Sequence, residues 1–298
     1  MAFENYLIHL GILLCIYVML TISLNLSVGF TGLLNLGHIA FFGIGAYASA
    51  LLVLHGYPLW AGIVGAALIA GLVGALLAVP TSRLKGDYLA LATLGFLFIM
   101  GTIARNWTGL TRGPLGLPGI PRYTANNQTL LIIAAVTALA MTGIIWIITR
   151  TRFGKTLQAV RDDELAAQML GKNTFAHKIA SMGLSALLAG IAGSFFAHYI
   201  SFIDPSIFSS GDTILAFSML IVGGLASIPG SLLGATIILL LPEPLRFIGS
   251  PLLPYPLNLI PPIPSAYLGP VREMLFALIL LLILIYRPKG IFGKVDFQ

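Results

Sequence analysis

Charge is scarce in this sequence: Lys and Arg number 16, Asp and Glu 10, and together they make up 9% of 298 residues. Soluble domains carry roughly a quarter charged residues, so a water-facing surface over the whole chain is excluded. Cysteine occurs once, at Cys15, which rules out an internal disulfide, a CxxC metal site and a dithiol redox pair and leaves packing as its role. The histidines, His9, His38, His55, His177 and His198, lack ligand spacing, so no metal centre is expected. Neither GxSxG nor HExxH occurs, and with no convergent nucleophile, base or metal set, no catalytic residue is assigned. The fragment FGKT at 153–156 falls short of a phosphate-binding loop, because GxxxxGK[ST] needs glycine at 149 and Thr149 stands there. The chain is therefore expected to bind no nucleotide or other cofactor itself.

What is present is apolar. Hydrophobic residues make up 58% of the chain and the mean hydropathy is +0.98, the composition of an integral membrane protein. The start, MAFENYLIHLGILLC, has no Lys or Arg before the apolar run and no small-residue cleavage site, so the first span is expected to be retained. Apolar runs fall at 6–28, 33–54, 59–79, 88–104, 129–149, 179–200, 213–225, 231–241 and 271–286. The seventh and eighth are too short to cross a core about 30 Å thick unaided, and they read as broken or re-entrant helices. The expected fold is an all-α integral membrane protein, a polytopic helical bundle of eight to ten transmembrane helices in a single transmembrane domain over 1–298.

Basic residues orient it. With 150–178 in the cytoplasm, Arg83, Lys85, Arg150, Arg152, Lys155, Arg161, Lys172, Lys178, Arg287, Lys289 and Lys294 lie inside. Arg105, Arg112, Arg122, Arg246 and Arg272 lie outside. The bias predicts the N-terminus out and the C-terminus in, and it accounts for the net charge of +6 without nucleic acid. GDYLALATLGF from Gly86 and GDTILAFSML from Gly211 open apolar spans from opposite sides in this topology, as an inverted repeat does. Small residues three or four apart in 61–78 and 183–196 predict close helix packing.

The most polar stretch at membrane depth is SLNLSVGFTGLLNLGHIAFFGIGAY, 23–47. Uncharged hydrogen-bonding groups beside glycines suit either a small polar solute or a tight turn between helices. Asn25, Asn35 and His38, with Thr93 on the fourth span, are the candidate substrate-path residues. The carboxylates Asp87, Asp204, Asp212 and Glu243 fall near span ends, where Asp87 and Asp212 are expected to cap helices. That placement counts against an ion- or proton-driven secondary transporter, the alternative reading, which calls for ionisable groups within a span.

The segment RTRFGKTLQAVRDDELAAQMLGKN, 150–173, looks like the surface of a soluble protein. Positions 156–170 read as an amphipathic helix with Leu157, Val160, Leu165 and Met169 on one side and a C-terminal cap at Gly171, a docking element for another protein. With GLLNLGHIAFFGIGAYASALL (32–52), GDYLALATLGF (86–96), AVRDDELAAQMLGKN (159–173), IDPSIF (203–208), GGLASIPGSLLGA (223–235) and YRPKGIFG (286–293) in order, the chain resembles the LivM family, permease subunits of bacterial ABC importers for branched-chain amino acids. Similar permeases serve urea and short amides, so the motifs are less specific for the substrate.

The resemblance implies a multi-pass protein of the bacterial cytoplasmic (inner) membrane. Its implied partners are a second homologous permease subunit, two ABC ATPase subunits that hold ATP and Mg, an external, periplasmic solute-binding protein and the lipid bilayer. The family's EAAxxxG coupling helix is matched by Ala166, Ala167 and Gly171, with its glutamate displaced to Glu164. Arg161, Asp162 and Asp163 complete the implied ATPase-coupling set. Residues 241–269 hold eight of the 17 prolines, which argues for a rigid external loop over 242–270.

Overall fold

The apolar runs among the described residues fold as helices, and the one at Leu59–Thr81 runs through Pro80 in its last turn. The computed structural model describes residues 2–84, 86–241, 243, 274, 278, 281, 282 and 290–293. Among these, eleven α-helices occur: α1 Ala2–Asn25, α2 His38–Leu54, α3 Leu59–Thr81, α4 Asp87–Asn106, α5 Thr108–Thr111, α6 Asn127–Arg150, α7 Arg152–Asp162, α8 Glu164–Met169, α9 Thr174–Ile200, α10 Ser210–Gly223 and α11 Ile228–Leu240. Five are long and apolar enough to cross a membrane, with α2, α10 and α11 as shorter apolar helices. Two strands of two residues, β1 Leu117–Pro118 and β2 Phe202–Ile203, pair antiparallel with Leu117 opposite Ile203. Apart from residue 243, the expected external loop 242–270 lies outside the described residues, as does most of the run 271–286.

Small residues decide which helices lie at the centre. The runs at 61–78 and 183–196 place α3 and α9 against each other, with α2 on α9. A Cβ on Gly193 would overlap the Phe42 carbonyl, so only glycine lets these backbones touch and gather dispersion contacts that lipid cannot replace. α6 is the most peripheral, with Ile132, Val136, Leu139 and Ile147 between 58% and 68% exposed.

Helix ends sort into two groups. Gly29 beyond α1, Ser82 beyond α3 and the start of α9 meet α7 and α8 through Arg161 and Lys178. At the other end Ile120 N donates to Ser201 O at 3.3 Å and Gly101 of α4 packs on Phe208. There Tyr123, Ser194, Ser49 and His198 form a hydrogen-bonded chain ending on Pro121 O, and burial pushes the Tyr123 phenol up to about 12. This chain fixes the loop before α6.

α10 and α11, of 14 and 13 residues, form a hairpin turning at Gly224–Ser227. Each spans about 20 Å, short of a crossing. Ser209 caps α10 by accepting from Asp212 N at 3.0 Å, and Ser227 caps α11 by accepting from Gly230 N at 3.2 Å. The capping oxygen on α10 thus belongs to Ser209, with Asp212 in the first turn; Asp87 likewise opens α4 from its first turn, and Gly86 at its N-cap makes no side-chain cap. At the hairpin's turn, Ile291 N and Phe292 N donate to Val222 O and Gly223 O, both at 3.0 Å. Backbone from the end of the YRPKGIFG motif thereby satisfies carbonyls that a helix C-terminus leaves open.

Candidate functional site

α1 continues past Asn25 as a π-turn over Leu26–Phe30, an irregularity frequent at functional sites. Asn25 turns its amide toward the hairpin: Oδ1 accepts from Ala226 N at 3.0 Å, and Nδ2 donates to Ser227 O at 3.1 Å and Ser231 Oγ at 2.7 Å. Gly29 passes so close to this clasp that a Cβ there would collide with Asn25 Oδ1 and the Ala226 nitrogen. The Gly29 carbonyl accepts from Arg161 Nη1 at 2.9 Å. One short stretch of α1 thus holds both the hairpin turn and α7.

The coupling candidates 161–171 fall on two helices and their ends, with Asp163 between α7 and α8 and Gly171 beyond α8, rather than on the single 156–170 helix expected. α7 buries Leu157 and Val160 and ends where Asp163 adopts extended backbone and accepts from Ala166 N at 3.0 Å. A short carboxylate that bonds its own backbone two or three residues on favours a helix start over a helix interior, and this breaks the run. Leu165 and Met169 consequently leave the side occupied by Leu157 and Val160. With Leu170 they stand 60%, 87% and 76% exposed. Ala166 shares the exposed side, whereas Ala167 is buried. Gly171 closes α8 with φ +73°: its N–H reaches Gln168 O at 2.9 Å and Lys172 N reaches Ala167 O at 3.1 Å, the Schellman pattern that glycine permits.

Two polar anchors hold these helices to the bundle. Arg161, 14% exposed, also binds Asp162 at 2.8 Å, while Asp162 is 64% exposed. Lys178 pairs with Glu164 at 2.6 Å and donates to Ser82 O at 3.3 Å, joining α8, α9 and the end of α3. Of the residues singled out from sequence, Arg161 and Glu164 therefore face the bundle and Asp162 faces outward.

The substrate-path candidates separate as well. Asn25 is spent on the hairpin. Thr93 Oγ1 accepts from Leu36 N at 3.1 Å and fixes the stretch leading into α2. Asn35 is fully buried, and neither its Oδ1 nor its Nδ2 has a hydrogen-bond partner among the described residues; His38 Nδ1 is in the same state. Such groups are uncommon in folded proteins and cost about 1–3 kcal/mol each. His38 Nε2 bonds Ser23 Oγ at 2.8 Å, and Ser185 Oγ donates to Ser23 O at 2.8 Å. Thr31 and Ser181 bond each other one step nearer α7. This buried polar seam between α1, α2 and α9 was only half visible in sequence: Ser181 and Ser185, four apart, were the signal on α9. A cavity of about 250 Å³ lined by Leu20, Ile39, Phe42, Phe196 and Asp204 lies beyond one end of the seam. A cleft of about 230 Å³ with Thr31, Gly32, Asp162, Glu164 and Lys178 lies at the other. Among the described residues, no three of His, Cys, Asp and Glu gather as metal ligands.

The profile of the family described as "Branched-chain amino acid transport system / permease component" matches residues 6–285. The chain is 30% identical over 269 residues to the high-affinity branched-chain amino acid transport system permease protein LivM of Escherichia coli K12, covering 80% of this chain and 63% of that protein. It is 26% identical over 306 residues to LivH of the same organism, covering 95% of this chain and 92% of LivH. The chain thus spans less than two thirds of the length of its LivM relative. A solved structure, PsaBC from Streptococcus pneumoniae in complex with Fab, is similar at a TM-score of 0.47 and 16% identity, covering 94% of this chain and 91% of that one.

Proposed function

On the premise that the chain belongs to the family of branched-chain amino acid transport permease components, we propose that it is the membrane permease of an ATP-driven ABC importer. The substrates proposed are branched-chain or related small polar amino acids. The chain works in the bacterial cytoplasmic membrane beside a second homologous permease, two ABC ATPases that hold ATP and Mg, and an external solute-binding protein. The observation that carries this reading is α8: a short helix with Leu165, Met169 and Leu170 exposed, tied to the bundle through Glu164 and Lys178. Apolar side chains projecting from the otherwise charged end of the bundle suit a cleft on a partner protein.

In this reading the 150–178 end faces the cytoplasm, the N-terminus is outside and the C-terminus inside, with eight to ten spans. α4 opens beside Arg161 and α10 opens at the opposite end, which supports an inverted repeat marked by Asp87 and Asp212. The loop 242–270 is assigned to the outer face. Movement of α8 by the ATPase passes through Arg161 to Gly29, and from there through Asn25 to the hairpin, so the coupling segment and the wall of the seam shift together. Asn35 and His38 offer their unmatched polar atoms to the solute, or to water accompanying it, when the seam opens.

Reconstitution with the partner subunits tests the class. Uptake that needs ATP and stops with vanadate is the expected result. Uptake driven by a proton or sodium gradient alone would instead establish a secondary transporter.

A further inference from the structure

A cavity of about 530 Å³ lies at the α7 end of α6, lined by Phe30, Trp146, Thr149, Arg150, Gln158 and Arg161, with residues 226–229 completing its wall. It holds two guanidinium groups and no carboxylate among its lining residues. Arg150 rests over the Trp146 ring, 4.0 Å from its centroid, an arrangement that pre-sets the planar fork. Arg161 is held by the Gly29 carbonyl and is paired with Asp162 at 2.8 Å beside the cavity, so Arg150 is the guanidinium whose charge no carboxylate offsets among the lining residues. Ile228 and Pro229 bring the first turn of α11 to the same cavity, and a helix N-terminus adds partial positive charge. Ser227 Oγ accepts from Gly230 N and keeps its own proton to donate.

The cavity adjoins the outward face of α6, where Leu139, Ile144 and Ile147 are 68%, 48% and 58% exposed. Apolar side chains leading to a Trp and an Arg at the helix end mark where acyl chains give way to headgroups. We propose that this cavity binds the phosphodiester headgroup of an anionic phospholipid, with its acyl chains along α6. A zwitterionic lipid brings an ammonium group that meets the unpaired charge of Arg150 and is disfavoured. A bound headgroup bridges α6 through Arg150, α7 through Arg161 and the start of α11. It thereby stiffens the joint between the coupling segment and the hairpin. The inference needs only that the chain lies in a bilayer, so it stands apart from the identity of the transported solute.

The full chain, purified in detergent, is probed by native mass spectrometry and thermal shift with phosphatidylglycerol, phosphatidylcholine and inorganic phosphate. Wild-type protein retains phosphatidylglycerol in preference to phosphatidylcholine, and Arg150→Gln retains about fivefold less of it. Arg152→Gln, which removes an exposed arginine outside the cavity, matches wild type. Equal retention of phosphatidylglycerol by Arg150→Gln and wild type overturns the proposal. Stabilisation by inorganic phosphate as large as that by the lipid also overturns it, and assigns the cavity to a free anion.

Discussion

Arg161 donates to the carbonyl of Gly29 at 2.9 Å, and its aliphatic stem lies on Gly32, so a residue of the charged segment is seated on the π-turn that ends α1. The bond has a charged donor and a backbone acceptor, the stronger kind of hydrogen bond. Any displacement of α7 must either break it or carry α1 along.

Replacing Arg161 with Met removes that bond while keeping much of the stem's packing. A loss of about 2 kcal/mol in thermal stability is expected. In the reconstituted importer, ATP hydrolysis continues while uptake falls. If uptake keeps pace with hydrolysis in this variant, the Arg161 bond does not transmit the movement.

The two faces of α8 should respond differently to charge. Met169→Glu and Leu170→Glu alter exposed side chains, so folding changes by less than about 0.5 kcal/mol, and ATPase co-purification is lost. Ala167→Glu places a carboxylate at a buried position and destabilises the helix itself. Gly171→Pro cannot adopt the observed φ and removes the N–H that reaches Gln168 O; it leaves the protein inserted but uncouples transport. Normal uptake and normal co-purification in all four variants would exclude docking at α8.

Asn25 and Asn35 are both fully buried yet should part company on substitution. Asn25→Leu forfeits three hydrogen bonds to the hairpin and leaves their partners unmatched, costing roughly 3 kcal/mol or more. Asn35→Leu removes two atoms that have no partner among the described residues, so stability is unchanged or rises while uptake drops. Thermal midpoints measured beside uptake separate them; a large destabilisation by Asn35→Leu would show that the amide has a structural role.

A pair of glycine substitutions calibrates the close approach at the clasp. Gly29→Ala forces a methyl group against Asn25 and the Ala226 backbone, and is expected to lower the thermal midpoint and impair uptake. Gly143→Ala, inside α6 with nothing within 4 Å of the new Cβ, gains up to about 1 kcal/mol from helix propensity. Equal midpoints for the two variants would mean that the clasp yields easily.

Most helices were legible because an apolar run bounded by turn residues has few ways to satisfy its backbone in a membrane. The expected starts at 33 and 179 moved to His38 and Thr174 for local reasons: residues 31–37 are held by Thr93 and by Gly32 against Arg161, and Asn173 caps α9 by accepting from Ala176 N at 3.0 Å. The break at Asp163 was written in the Asp-Asp-Glu sequence, but apolar periodicity across 157–169 obscured it. Residue type marked Asn25, Asn35, His38 and Thr93 as polar positions in an apolar chain. It could not divide them into clasp, support and unmatched groups, because that division depends on Ser227, Ser231 and Leu36. The link from Arg161 to Gly29 left no periodic signal, since its acceptor is a backbone carbonyl.

The backbone cap on α10, in which Ile291 and Phe292 donate to Val222 and Gly223, has a consequence for biogenesis. These donors leave the ribosome long after α10 and α11, so the hairpin is inserted with its turn unfinished. Until the later segment arrives, the open carbonyls must be met by water or by the insertion machinery. The hairpin that Asn25 clasps is therefore completed late in synthesis, and a chain stalled before residue 291 carries an exposed mark of its own immaturity.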